Sequence, residues 1–245
     1  MRLTRVHVDA ALAPGQELAL PEGAAAHLVR VLRLGVGDAC VLFNGDGNDY
    51  DARIVAAGKR ELRVAVGAAT AVDRESPLSI VLLQGVARGE KMDLILQKAT
   101  ELGVAAVVPL WSQRSEVRLD GARAEKRLAH WRSVVASACE QSGRTRVPPV
   151  AVAAPLDQAL AALPDGGLRL TLDPEGDAAL PRLAPPAAST VVLAVGPEGG
   201  WSPRDREQLQ AAGFDGLRLG PRILRTETAG LAAIAALQAR FGDFR

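Results

Sequence analysis

Apolar positions change their spacing once along the chain. In the first part they come as short strand-like runs. Residues 6–8 and 16–20 alternate in polarity, and residues 40–43, 50–55 and 61–66 are three more short runs. Asn44-Gly45-Asp46-Gly47 separates the first two of these as a tight-turn signal, and Gly58-Lys59-Arg60 separates the second pair. One helix interrupts the pattern. Ala25, Leu28 and Leu32 recur at helical spacing within residues 24–32, and Gly35-Val36-Gly37-Asp38 ends the run. Short strands, tight turns and a single helix predict a small β-barrel over residues 1–72.

A polar break at residues 73–77 marks the predicted boundary, and the pattern beyond it is different. Residues 78–84 are a continuous apolar run closed by Gly85, as expected of a strand buried on both faces. A helix over 92–102 stops at Gly103, a strand follows at 105–110, and 125–141 is a long helix. Residues 168–172 and 191–195 are further buried strands, and 208–212 and 229–240 are helical. Strand alternating with helix predicts an α/β domain with a parallel sheet over residues 73–245. Residues 148–186 are rich in Ala and Pro but hold a strand, so they are not a disordered linker.

Composition changes this picture little. Hydrophobic residues make up 48% and aromatics only 3%, so the core is aliphatic. The net charge of +1 neither favours nor excludes a nucleic-acid partner, because its distribution matters more. That distribution is uneven: Arg114, Arg118, Arg123, Lys126, Arg127, Arg132, Arg144 and Arg146 make one stretch locally basic. Cys40 and Cys139 lie far apart and read as small core residues. His7, His27 and His130 show no ligand spacing, so no metal is expected. No run reaches membrane-spanning length and the first residues lack a signal-peptide core, so a cytoplasmic protein is expected.

The candidate chemistry lies near the C-terminus. The strand at 191–195 runs into Gly196-Pro197-Glu198-Gly199-Gly200-Trp201-Ser202-Pro203. A glycine-rich loop after a parallel strand points to a ligand at the carboxyl edge of the sheet. The spacing fits neither a dinucleotide fingerprint nor a Walker loop, and a plain strand-to-helix turn is the alternative. Ser202-Pro203-Arg204-Asp205 is a good helix start, with a Ser cap, Pro at the first position and Asp closing the box. Downstream, Leu217-Arg218-Leu219-Gly220-Pro221-Arg222-Ile223-Leu224-Arg225-Thr226-Glu227-Thr228-Ala229 holds three arginines, a Glu and two Thr in one short loop, with Arg222 and Arg225 next to Glu227. Ordering them is costly unless they are paired or used, and a solvated face is the alternative. Thr226 is placed to cap the following helix.

These two segments together resemble the RsmE family of 16S ribosomal RNA uridine-N3 methyltransferases. The likeness extends to residues 26–34, to 91–104 (Lys91-Met92-Asp93 onward), to Arg114-Ser115 and to 138–144, in the same order. The resemblance implies a PUA-like N-terminal β-barrel and a C-terminal SPOUT α/β domain with a trefoil knot. It implies S-adenosyl-L-methionine held by Leu172, Val195, Gly196, Glu198, Gly199 and Gly200 from one side and by Leu217, Leu219, Gly220, Ile223, Leu224 and Thr228 from the other. A homodimer, in which the second copy completes each site, is also implied. Two departures stand out: Ala26 precedes His27 where relatives often carry two histidines, and Trp201 follows Gly200. Both are expected to affect RNA contacts or packing, and His27 is not expected to be catalytic.

Uridine N3 bears an imide proton and is no nucleophile until that proton leaves. The expected catalytic residues are Arg225, to orient the nucleotide, and Glu198 or Glu227, to help with the proton. The target must be single-stranded or flipped, because N3 lies on the pairing edge. Arg2, Arg5, Arg30 and Arg33 of the first domain, with Arg114 and Arg144, are the expected contacts to 16S RNA within the small subunit. The competing readings are a SPOUT enzyme acting on a ribose 2′-oxygen and a non-catalytic RNA-binding module.

Overall fold

The computed structural model describes residues 3–58, 61–117, 121–186 and 188–244; Arg2, Lys59, Arg60 and Arg118 lie outside them. The chain forms two compact units, Met1–Glu75 with Ala136–Val147, and Ser76–Val135 with Pro148–Arg245. The segment 136–147 therefore joins the first unit, although it follows the polar break.

The first unit carries a five-stranded mixed sheet. Its strands are β1 (Arg5–His7), β2 (Glu17–Ala19), β3 (Ala39–Phe43), β4 (Asn48–Ala57) and β5 (Leu62–Ala71), in the order β1-β3-β4-β5-β2. β1 pairs parallel to β3 and the other pairs are antiparallel. Period-two burial explains the long hairpin: Tyr50, Ala52 and Ile54 point inward, while Asp51, Arg53 and Val55 face solvent. The helix expected at 24–32 begins earlier, as α1 (Glu22–Ala26), and continues as a π-turn over His27–Val31. The Leu32 N–H donates to His27 O at 3.1 Å, and buried Leu28 anchors the turn on the sheet. Inside this unit Arg5 is 7% exposed; it ion-pairs with Asp49 and donates to Arg144 O at 2.9 Å. Arg144, 5% exposed, ion-pairs with Glu75.

The second unit is built on a seven-stranded, all-parallel sheet. Its elements are β6 (Ser79–Gly85), α2 (Glu90–Glu101), β7 (Ala106–Trp111), β8 (Ala154–Pro155), α4 (Leu156–Ala161), β9 (Leu168–Leu172), β10 (Ala178–Ala179), β11 (Thr190–Val195), α5 (Pro203–Ala211), β12 (Asp215–Arg218) and α6 (Thr226–Phe241). α3 (Gly121–Ser142) supplies residues to both units. The strand order is β10-β12-β9-β11-β6-β7-β8. β6 and β11 are apolar along almost their whole length because both faces are covered: Ile80, Leu82, Leu83, Val191, Val192, Leu193 and Ala194 are fully buried. β11 and β12 flank β9 on opposite sides, so the segments that leave them emerge at one carboxyl edge.

Four elements were not legible in the sequence. β8, α4 and β10 fall in the Ala/Pro-rich stretch and are too short to show a period. β12 buries only Leu217, so its four residues have no apolar run to betray a strand. α6 starts three residues earlier than expected, at Thr226 rather than at residue 229.

Candidate active site

β11 ends in the first of two loops. The Gly200 N–H donates to Pro197 O at 2.8 Å, and Gly200 takes φ 66, a left-handed value that closes the turn. The capping box forms as the sequence predicts. Ser202 Oγ accepts from Asp205 N at 3.1 Å, and Asp205 Oδ2 accepts from Ser202 N at 2.8 Å. Asp205 Oδ1 also accepts from Gln113 N at 3.3 Å, which ties the segment after β7 to the same helix start.

The second loop runs from β12 to α6 and meets the first through one side chain. Thr226 Oγ1 donates to Gly196 O at 2.6 Å and accepts from Gln84 Nε2 at 3.1 Å. This corrects the expected cap: Arg225 occupies the N-cap position without a side-chain bond, and the Thr226 hydroxyl links the two loops instead. Gln84 itself is fully buried at the end of β6.

Between the loops lies a cavity of about 460 Å³, well inside the roughly 300–1,000 Å³ usual for small-molecule sites. Leu172, Val195, Leu217, Leu219, Ile223 and Leu224 give it apolar walls, and Gly196, Gly200 and Gly220 bring backbone to its surface. Glu198, Glu227 and Arg225 line it as well. Of the residues expected to hold a cofactor, Gly199 and Thr228 are not on the wall. Gly199 backs onto Arg114, whose carbonyl would lie 3.0 Å from a Cβ added there. Thr228 is exposed, one turn into α6.

The polar wall has an order to it. Glu198 Oε1 accepts from Arg88 N at 3.1 Å and from Lys91 Nζ at 3.4 Å. Lys91 Nζ also lies 3.8 Å from Glu227 Oε2. Burial pushes the Glu198 carboxyl up, but hydrogen bonds from the N–H groups of Arg88 and Glu198, and then Lys91, outweigh it and hold the group below its usual range. Arg114 Nη1 donates to Gly199 O at 3.3 Å.

Three contributors escaped the sequence reading. Lys91 opens the stretch 91–104 that carries part of the resemblance, but its partners are over a hundred residues away. Asp173, paired with Arg206, lines the far wall and carries no motif. Trp201, expected to matter only for packing or RNA contacts, lines the cavity and packs on Gly196, where an added Cβ would be 3.3 Å from its ring. The expected RNA contacts separate by burial. Arg30, Arg33 and Arg114 are exposed, whereas the Arg5 and Arg144 guanidinium groups are committed to internal partners. Among the described residues, no group of three or more His, Cys, Asp or Glu side chains could hold a metal, and no helix is long and apolar enough to cross a membrane.

Residues 74–238 match the RNA methyltransferase domain family and residues 20–66 the RNA methyltransferase PUA domain. The chain is 31% identical over 242 residues to the ribosomal RNA small subunit methyltransferase E of Buchnera aphidicola, covering 99% of this chain and 98% of that protein. It is 32% identical over 218 residues to the protein of the same name from Bacillus subtilis, covering 86% and 85%. The crystal structure of a ribosomal RNA small subunit methyltransferase E from Neisseria gonorrhoeae bound to S-adenosyl methionine superposes with a TM-score of 0.94, at 42% identity and full coverage of both chains.

Proposed function

Because the chain belongs to the ribosomal RNA small subunit methyltransferase E family, we propose that it methylates N3 of one uridine in 16S ribosomal RNA, using S-adenosylmethionine. The observation that carries this reading is the cavity between the two loops. Its apolar walls suit a flat adenine, its glycine backbone allows close approach, and its carboxylates suit a ligand with a sulfonium and an ammonium. S-adenosylmethionine supplies the methyl group when bound.

The protein's task is to bring a deprotonated N3 into line with that methyl. Alignment alone contributes on the order of 7–11 kcal/mol in favourable cases. Arg225, exposed at the cavity rim, orients the target nucleotide and stabilises the charge left on the uracil oxygens. A carboxylate of the pair Glu198 and Glu227 assists the proton. The uridine enters unpaired or flipped, since its N3 edge is otherwise blocked. Residues 1–72 hold RNA, with Arg30 and Arg33 as contacts; Arg114 is the contact within 73–245, the part that carries the transfer. The working form is a homodimer in the cytoplasm, consistent with Ile223 standing 84% exposed at the cavity rim.

Incubation with small subunits and S-adenosylmethionine, followed by nucleoside mass spectrometry, tests the reading. The expected product is 3-methyluridine; a 2′-O-methyl nucleoside would move the reaction to the ribose. Calorimetry that finds no S-adenosylmethionine binding would sink the enzyme reading altogether.

A further inference from the structure

Lys91 touches both cavity carboxylates. It projects from the first turn of α2, whereas Glu198 belongs to the loop after β11 and Glu227 to the first turn of α6. The two acids are not equivalent. Glu198 Oε1 already takes two donors, Arg88 N and Lys91 Nζ. Glu227 is the more enclosed, its side chain 16% exposed against 26% for Glu198. Its Oε2 is buried and accepts no hydrogen bond from any described residue. With only the more distant Lys91 Nζ facing it, at 3.8 Å, the Glu227 charge is less neutralised by hydrogen bonds than that of Glu198. Glu227 also lines the cavity, so of the two acids it is the one on that wall whose acceptor capacity is unspent.

We propose that Lys91 is a positioning residue that gives the two carboxylates different tasks. Glu198 is the brace, and the Glu227 carboxylate is the acceptor of the uridine N3 proton. The inference rests on the uridine-N3 reading and deepens it. The imide N3–H proton passes to Glu227, leaving the pair on N3. That pair forms the new bond to the methyl carbon, and the pair of the broken carbon–sulfur bond stays on sulfur. Glu227 then releases its proton to water. The depressed acidity range of Glu198 fits the brace, because a weaker base is the poorer proton acceptor. The charged groups that line the cavity with Glu227 are Lys91 from α2, Arg114 after β7, Asp173 after β9, Glu198 after β11, Arg206 on α5, and Arg222 and Arg225 before α6; of these Lys91 is paired with it.

The test uses RNA in which the target is uridine or 5-fluorouridine, whose ring fluorine makes N3–H more acidic. Glu227→Gln is expected to lower kcat on uridine RNA by about 100-fold or more. Measured at saturating S-adenosylmethionine, it should recover about tenfold relative to wild type on the fluorinated RNA. Lys91→Ala should lower kcat by about tenfold while leaving the KM for RNA unchanged, and Lys91→Arg should restore it. Glu227→Gln turnover close to wild type, an equal deficit on both RNAs, or a Lys91→Arg as poor as Lys91→Ala would each overturn the assignment. A wild-type enzyme that makes no 3-methyluridine would overturn the underlying reading itself, before any variant is compared.

Discussion

At Gly85 the first loop packs closely on β6. A Cβ at this position would stand 2.5 Å from Pro197 N, 2.8 Å from Pro197 Cδ and 2.9 Å from Gly196 C. Ordinary contact begins at 3.4 Å, so in Gly85→Ala the loop must retreat by about 0.9 Å. The obstruction is backbone, so no side chain can swing aside. The retreat also has nowhere to dissipate, because Gly196 O is held by Thr226 at 2.6 Å and Pro197 O by Gly200 at 2.8 Å. Overpacking of this kind destabilises by about 1–3 kcal/mol. The larger effect falls on function, since a misplacement of about 1 Å can lower a rate by about 100-fold. Gly85→Ala is therefore expected to weaken S-adenosylmethionine binding by about tenfold or more in calorimetry, and to lower the urea midpoint. Gly23→Ala is the control: an added Cβ meets nothing within 4 Å there, and the residue lies inside α1. That change should raise stability slightly, by about 0.5–1 kcal/mol. A Gly85→Ala protein that binds S-adenosylmethionine with wild-type affinity would refute the claim that this contact sets the loop.

Other consequences can be measured in the same laboratory. Thr226→Val keeps the shape but strips Gly196 O of its donor and Gln84 Nε2 of an acceptor, so unfolding free energy in urea should drop by about 1–3 kcal/mol; Thr226→Ser should recover most of it. Glu198 titrates below its ordinary 4.5 in the folded protein, so its charge favours folding above the unfolded value, and that contribution fades as pH falls through the folded one. The stability gap between wild type and Glu198→Gln should therefore be full at neutral pH and shrink as pH falls below the ordinary carboxylate range; a gap independent of pH would contradict the hydrogen-bonded anion. Burial pushes the Cys40 thiol up to about 11 and the Cys139 thiol up to about 12, so iodoacetamide at pH 8 should label neither until urea unfolds the chain. Arg225→Ala should bind S-adenosylmethionine normally yet lose methylation, and unchanged turnover would remove Arg225 from the mechanism.

What the sequence reveals depends on how far apart the cooperating residues lie. The Ser202–Asp205 box is readable because capping is a contact three residues long. β6 and β11 are readable because burial on both faces leaves unbroken apolar runs. The cavity walls came from the resemblance, which placed Leu172, Val195 and Leu217 although they sit on three different strands. Thr226 was misread for an instructive reason: a hydroxyl before a helix is usually a cap, and only the approach of Gly196 offers it a better partner. The internal partners of Arg5 and Arg144 are hidden in the same way: Asp49 and Glu75 lie 44 and 69 residues from them, beyond what local pattern can register. The role of Lys91 is invisible in the sequence because its carboxylates come from the loop after β11 and the start of α6, which only the fold brings together.

The first unit borrows residues 136–147 from beyond sixty intervening positions of the second. Translation proceeds from the N-terminus, and domains tend to fold as units when their residues become available. Here the first 75 residues leave the ribosome incomplete. Arg5 lacks the Arg144 carbonyl, Glu75 lacks its guanidinium, and the His7 N–H lacks the Glu140 carboxylate that accepts it at 2.9 Å. The nascent sheet must wait until α3 has been synthesised to its end. A fragment cut at the polar break would carry the strands but not their closure, so a nascent chain arrested before residue 142 should stay protease-sensitive across its first 75 residues, and one released past residue 147 should not.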